Sequence, residues 1–101
     1  MIKTYELQYL DIAKNDLEQI FDYILKDNPR IASEILDEID EKVSKLTAFP
    51  ELGRLIKDNK LKTLGYRVLI VNKYLIFYVI MGNVIEIHRV LHSSRNYHNL
   101  L

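Results

Sequence analysis

The stretch YRVLIVNKYLIFYVIMGNVIEIHRVL, residues 66–91, decides the fold. β-Branched and aromatic residues dominate it, and two polar pairs, Asn72-Lys73 and Gly82-Asn83, divide it into runs 66–71, 74–81 and 84–91. Two-residue connections between such runs join antiparallel neighbours, so the segment predicts a three-stranded meander. The tight turns also predict a register. With Val71 opposite Tyr74, Arg67 falls opposite Tyr78. With Met81 opposite Val84, Tyr78 falls opposite Ile87 and Ile76 opposite Arg89. Residues directly opposite share a face. Arg67, Tyr78 and Arg89 are therefore expected on one side of the sheet, and Val68, Ile70, Leu75, Phe77, Val79 and Val90 on the other. The apolar set is assigned to the core beneath the helices and the arginine-bearing face to function. A bulge or a one-residue slip would reverse part of this assignment.

Upstream of the meander, residues 2–9 read as a short strand. Asp11 is a candidate N-cap, and Ala13, Leu17, Ile20, Phe21 and Ile24 recur at helical spacing until Lys26-Asp27. Asn28-Pro29 supplies the next start signal, a cap residue followed by a proline whose missing N–H costs nothing in the first turn. Ala32, Ile35, Leu36, Ile39, Val43 and Leu46 form a second stripe, opposite Glu34, Asp37, Glu38 and Glu41. So short a connection predicts an antiparallel helical hairpin, and a sheet is the natural cover for both stripes. Phe49-Pro50-Glu51-Leu52-Gly53-Arg54 ends the pair. Residues 55–65 are basic and weakly patterned and read as a loop with room for a short strand. The polar tail from His92 to Leu101 reads as a short C-terminal segment. The fold class expected is α+β, with residues 1–101 forming one domain.

Composition narrows the function classes. The chain has 101 residues, nearly half of them apolar, enough for a modest core. Without cysteine there is neither a disulfide framework nor a thiolate metal site; no metal or cofactor is expected. No signal peptide is visible, and the longest apolar run, 74–81, is too short to span a bilayer, so a cytoplasmic protein without membrane attachment is expected. The neutral formal charge hides an asymmetry: residues 1–52 carry 6 basic and 12 acidic side chains, 6 − 12 = −6, and residues 53–101 carry 8 and 2, 8 − 2 = +6. The basic half, which also holds His88, His92 and His98, can attract a polyanion; the acidic helices equally read as merely soluble helices.

Taken in order, these pieces resemble a known family. Ala13 with Asp16-Leu17, Ile20 and Tyr23-Ile24 opens the first helix, and Phe-Pro-Glu-Leu-Gly-Arg (49–54) closes the second. A strand with Arg67 follows, then Tyr-Leu-Ile-Phe-Tyr (74–78) and Arg-Val-Leu-His-x-x-Arg (89–95). The set resembles the RelE/ParE toxin superfamily of type II toxin–antitoxin systems over nearly the whole chain, and its Pro-x-x-Gly-Arg corner and its ending resemble the ParE branch more than the RelE branch. The resemblance implies a strand, a helical hairpin and a meander in one antiparallel-dominated sheet. It also implies a growth-arresting toxin, associated with plasmid stabilisation, neutralised by a cognate antitoxin whose flexible C-terminal segment wraps it. Operator DNA would be bound only through the antitoxin. Relatives act on two targets: ParE-like members inhibit DNA gyrase, whereas RelE-like members cut mRNA in the ribosomal A site. Gyrase inhibition is slightly favoured by the ParE-like motifs and the neutral charge; the alternatives are a metal-independent mRNA endonuclease and a catalytically inactive binding module.

RNA cleavage of the RelE kind needs a base for the 2′-hydroxyl, cations for the charge developing on the phosphate and a proton for the leaving oxygen. Arginine suits the phosphate because its planar fork binds two oxygens and stays charged, and histidine suits proton transfer near neutral pH. By position, the resemblance implies Arg67, His92, Arg95 and Tyr97 as catalytic residues. Arg89, Tyr78 and His98 would bind substrate, with Lys57, Lys60 and Lys62 gripping RNA. Structural readings stand beside these. Arg67 and Tyr78 also read as a packing pair, Arg89 as the partner of an acidic neighbour, His88 as a core histidine, His92 as a turn residue and Arg95, Tyr97 and His98 as a solvated tail. The functional reading requires Arg67 and the C-terminal segment to converge on one cationic surface away from the helices.

Overall fold

The computed structural model describes residues 4–101. The chain runs β1 (Glu6–Tyr9), α1 (Asp11–Leu25), α2 (Pro29–Ser44), a short 3-10 turn (Lys45–Thr47), β2 (Arg54–Leu55), α3 (Asn59–Thr63), β3 (Arg67–Val71), β4 (Tyr74–Met81) and β5 (Val84–His92). The architecture is α+β, with one five-stranded sheet of order β1-β5-β4-β3-β2. The meander supplies its centre, β2 extends it antiparallel to β3, and β1 lies parallel to β5 on the other side. The expected first strand is found over Glu6–Tyr9; residues 1–3 of that expectation lie outside the described residues.

Local chemistry accounts for most boundaries. Asn28 caps α2 by accepting the Ile31 N–H on its side-chain oxygen at 3.2 Å, with Pro29 in the first turn. Asp11 is not a cap: it is the first helical residue of α1, and Leu10 precedes it without a side-chain bond. The two meander turns each need one left-handed residue, supplied by Asn72 (φ 57°) and Gly82 (φ 62°). Residues 55–65 are more ordered than their pattern suggested. Asp58 accepts the Leu61 N–H at 3.1 Å and nucleates the single turn and a half of α3, whose buried Leu61 is its anchor.

The register of β3 and β4 is as the turns require, with Arg67 opposite Tyr78 and Val71 opposite Tyr74. Between β4 and β5 a bulge intervenes. Tyr78 faces Ile87, yet Phe77 faces Arg89 and Ile76 faces Val90, so His88 is the extra residue. The expected pairing of Ile76 with Arg89 is thereby corrected.

The assignment of faces is corrected too. The helices pack on the face carrying Leu69, Val71, Ile76, Tyr78, Ile85, Ile87 and, beyond the bulge, Val90, together with Ala13, Ile39, Val43 and Leu46. Val68, Phe77 and Val79 lie on the opposite face, covered by Ile56, Leu61 and Tyr66 and by Tyr97, Leu100 and Leu101 of the tail. Ile70 is exposed at 47%. Arg67 and Tyr78 thus belong to the helix side. The cause lies in β4, which is apolar on both faces because both are covered, and so lacks the alternation that tells inside from outside.

Candidate functional site

Arg67 does not meet the C-terminal segment. Its guanidinium donates through Nη1 to the Gly53 carbonyl at 2.7 Å, bracing the corner after α2. Arg67 lies opposite Tyr78 and His92 opposite Tyr74. Four residues of strand and two strand spacings therefore separate them, roughly 17 Å between Cα atoms. Tyr78 works at the same corner: its hydroxyl donates to the Pro50 carbonyl at 2.7 Å and accepts the Gly53 N–H at 2.8 Å. Burial pushes the Tyr78 phenol above its ordinary value, against smaller opposing effects of the Gly53 hydrogen bond and Arg67, so this hydroxyl holds its proton and is a poor proton donor to a substrate.

Arg89 is committed elsewhere. Asp16 on α1 accepts from Arg89 Nε at 2.8 Å, from Arg89 Nη2 at 2.9 Å and from the Val90 N–H at 3.0 Å. Arg89 Nη1 also donates to the Leu100 carbonyl at 3.2 Å. Both side chains are largely buried, and the hydrogen bond to Asp16 raises the Arg89 pKa above its ordinary value, with burial opposing. One carboxylate thus ties α1 to the β5 bulge, and one guanidinium ties that bulge to the tail. Asp16 is the polar residue that the helical stripe contains without explaining.

The C-terminal candidates divide between two places. His92 and Arg95 line a cleft of about 460 Å³ between α1 and the end of the sheet, with Asp16, Gln19, Ile20, Tyr23, Tyr74 and Ser94. The His92 ring meets Tyr74 edge-on, with centroids 5.5 Å apart. Its Nδ1 accepts the Ser94 N–H at 3.1 Å and lies 2.8 Å from Ser94 Oγ, an arrangement that assigns the ring proton to Nε2. Arg95 is exposed and has no ion-pair partner among the described residues. Tyr23, exposed at 75%, stands at the same cleft, and burial followed by the nearby Tyr23 raises the Tyr74 pKa. Tyr23 was not singled out as a site residue; an aromatic placed off the buried stripe of α1 was its only signal.

Tyr97 and His98 lie on the other side of the sheet. Tyr97 packs on Phe77 at 4.8 Å and stacks on His98 at 4.5 Å, while His98 Nε2 lies 3.6 Å from Asp58 Oδ2 at the start of α3. Lys57, Lys60 and Lys62 surround that helix, exposed. His88, expected as a core histidine, is half-buried: its Nδ1 pairs with the Tyr66 hydroxyl at 2.8 Å and its Nε2 with Glu86 at 3.1 Å. The candidates therefore form three separate groups: a corner brace (Arg67, Tyr78), a cleft (His92, Arg95, with the committed Arg89 behind it) and a packed tail (Tyr97, His98). The cleft offers an imidazole, one free guanidinium and several hydroxyls, enough to hold an anionic or aromatic partner group. Among the described residues no cluster of His, Cys, Asp or Glu suits a metal ion, and no helix is long and apolar enough to cross a membrane.

Comparison with known proteins agrees with this architecture. Residues 7–97 match the family model of the ParE toxin of type II toxin–antitoxin system, parDE. No curated protein matches the chain. Among solved structures, a chain of the chromosomal ParDE toxin–antitoxin system of P. aeruginosa superposes with a TM-score of 0.74 at 23% identity, covering 89% of this chain and 97% of that one. A chain of the toxin–antitoxin complex RelBE2 of Mycobacterium tuberculosis superposes with a TM-score of 0.63 at 21% identity, covering 88% and 98%. At these identities the two structures speak for the fold, and the family match speaks for more: the chain belongs to the ParE toxin family of type II toxin–antitoxin systems.

Proposed function

We propose that this toxin acts in the cytoplasm by binding DNA gyrase and blocking it, without chemistry of its own, and that a cognate antitoxin neutralises it. The observation that carries this reading is the Arg67 guanidinium on the Gly53 carbonyl, roughly 17 Å from His92. A metal-independent nuclease needs cations and a proton carrier around one phosphate. Here the two strand arginines hold a backbone corner and a buried carboxylate. The match to the ParE family supports the same target. On this reading Arg95, Tyr23 and the lysines around α3 serve as contact residues.

A second reading, the ribosome-dependent mRNA endonuclease, draws on the joint presence of His92 and Arg95 in one cleft. Two assays separate the readings. Purified toxin should inhibit supercoiling by purified gyrase while leaving mRNA intact in a translation extract. Site-specific mRNA cuts that disappear in His92→Ala would defeat the gyrase reading. Unimpaired growth on induction without an antitoxin would leave only an inactive binding module.

A further inference from the structure

We infer that Tyr66, His88 and Glu86 form a nucleophilic relay on the α3 side of the sheet, and that the Tyr66 hydroxyl takes up a phosphoryl group from an acyl phosphate. This self-modification goes beyond the block on gyrase, which needs no such step.

The three side chains stand in one line of hydrogen bonds. Tyr66 Oη lies 2.8 Å from His88 Nδ1, and His88 Nε2 lies 3.1 Å from Glu86 Oε1. An ionised carboxylate only accepts, which assigns the ring proton to Nε2 and leaves the Nδ1 lone pair to take the Tyr66 O–H. Carboxylate to imidazole to hydroxyl is the order an activated nucleophile requires: a base within reach, and a third group that orients the base. Burial, then Glu86, pushes the Tyr66 phenol above its ordinary value, so the oxygen keeps its proton until a base removes it during attack. His88 is placed to be that base.

The relay depends on the β5 bulge. His88 is the extra residue between Ile87 and Arg89, and bulges re-aim side chains beside reacting centres. Its ring stands edge-on to Tyr66, with centroids 5.2 Å apart and planes at 85°. The α3 segment holds Tyr66 twice through its backbone: the Tyr66 N–H donates to the Leu61 carbonyl at 3.1 Å, and the Tyr66 carbonyl accepts the Ile56 N–H at 3.4 Å. Tyr66 itself is 8% exposed, whereas the side chains of His88 and Glu86 are 23% and 27% exposed, so the relay opens to solvent on the β5 side.

A phosphoryl donor is the electrophile that the surroundings fit. Ile56 and Leu61 pack in one cluster with Tyr66. Lys57 follows the first and Lys60 and Lys62 flank the second, all three exposed and without an ion-pair partner among the described residues. Asp58, the carboxylate of that segment, is occupied by the Leu61 N–H and faces His98. Cations at such a rim attract phosphate oxygens and offset the charge that develops as phosphorus is attacked. In the step, Tyr66 Oη bonds to phosphorus and the bond from phosphorus to the acyl oxygen breaks. The phenol proton passes to His88 Nδ1, and the leaving group departs as a carboxylate. An acyl phosphate suits this site because its carboxylate leaves unprotonated, so the relay has to supply only a base.

The test incubates the full-length toxin with acetyl phosphate, maps the phosphate by tandem mass spectrometry and follows the rate across donor concentrations. Phosphate on Tyr66 of the folded wild-type protein is the expected result, and Tyr66→Phe should remove it. His88→Asn should lower the saturating rate about 100-fold. Glu86→Gln, a change in a positioning residue, should lower it at least about tenfold and leave the half-saturating concentration unchanged. Lys60→Ser combined with Lys62→Ser should raise the half-saturating concentration about tenfold. Circular dichroism checks the fold of each variant, and the wild-type map decides even where a variant fails to fold. No adduct, phosphate only on other residues, or an unchanged rate in folded His88→Asn would overturn the inference. So would a Tyr66 adduct that forms faster in urea, because an unfolded chain has no relay. A toxin that blocks supercoiling and takes no phosphate refutes the relay alone; one that takes phosphate and spares gyrase refutes the target alone.

Discussion

Tyr78 and Gly53 are 25 residues apart in sequence and in direct contact: the phenol oxygen takes the glycine N–H at 2.8 Å, and the ring fills the space a Cβ would need. A methyl group built on Gly53 would lie 2.6 Å from the Tyr78 ring and 2.9 Å from the Val68 carbonyl. Gly53→Ala should therefore destabilise by about 1–3 kcal/mol through overpacking against a ring with no room to move. Tyr78→Phe keeps the ring but strands the Gly53 N–H and the Pro50 carbonyl, at a cost of about 1–3 kcal/mol. Urea unfolding midpoints check both. A Gly53→Ala protein as stable as wild type would show that the corner is loose.

Arg67→Ala separates a brace from a catalytic group. Loss of its charged hydrogen bond to the Gly53 carbonyl should lower stability by about 1–2 kcal/mol. Toxicity per folded molecule should be unchanged, read as inhibition of gyrase supercoiling at equal concentrations of folded protein. A folded but inactive Arg67→Ala protein would contradict the brace.

Asp16 is expected to be the most sensitive polar position. Asp16→Ala leaves the Arg89 guanidinium buried without its counter-charge and removes the acceptor of the Val90 N–H. The expected loss is on the order of 3–5 kcal/mol, comparable with the whole stability of a small domain. Asp16→Asn, which retains one acceptor oxygen, should lose less. Denaturant curves for the three proteins give the order directly; an Asp16→Ala loss below about 1 kcal/mol would mean that water replaces the carboxylate.

Local signals in the sequence carried the order of β1, the helical hairpin and the meander, the α2 cap and the β3–β4 register, because each depends on neighbours in the chain, whereas α3 lies in a segment that reads as loop. Asn28-Pro29 and the two-residue turns act within four residues of themselves. The site was less legible because it depends on contacts that local pattern does not record. Nothing near Arg67 announces that a carbonyl 14 residues earlier will take its guanidinium, nor does anything near Arg89 announce Asp16, 73 residues away. The face error has the same origin. Tyr78 reads as polar in sequence, yet its hydroxyl is satisfied by a backbone corner, which lets the rest of the residue join the helix-side core. His88, inserted as a bulge, then shifted the β5 pairings beyond it.

The buried tyrosines predict how the fold responds to alkali. Burial, then the nearby Asp40, pushes the Tyr9 phenol from 10.0 to about 12, and burial is also the first cause of the upward shifts of Tyr66, Tyr74 and Tyr78. A pKa higher in the folded state means that the folded protein binds the proton more tightly than the unfolded chain. The resulting stability is fully present below pH 10, the unfolded value, and is lost as pH rises towards 12, the folded value for Tyr9. Phenolate absorbance should show part of the tyrosine complement resisting ionisation until the chain unfolds, and urea midpoints should fall across that window. Tyr9→Phe should make the fall shallower, since one shifted group no longer titrates. Midpoints flat across the window, or the same slope in Tyr9→Phe, would mean that Tyr9 ionises in the folded protein as it does in water.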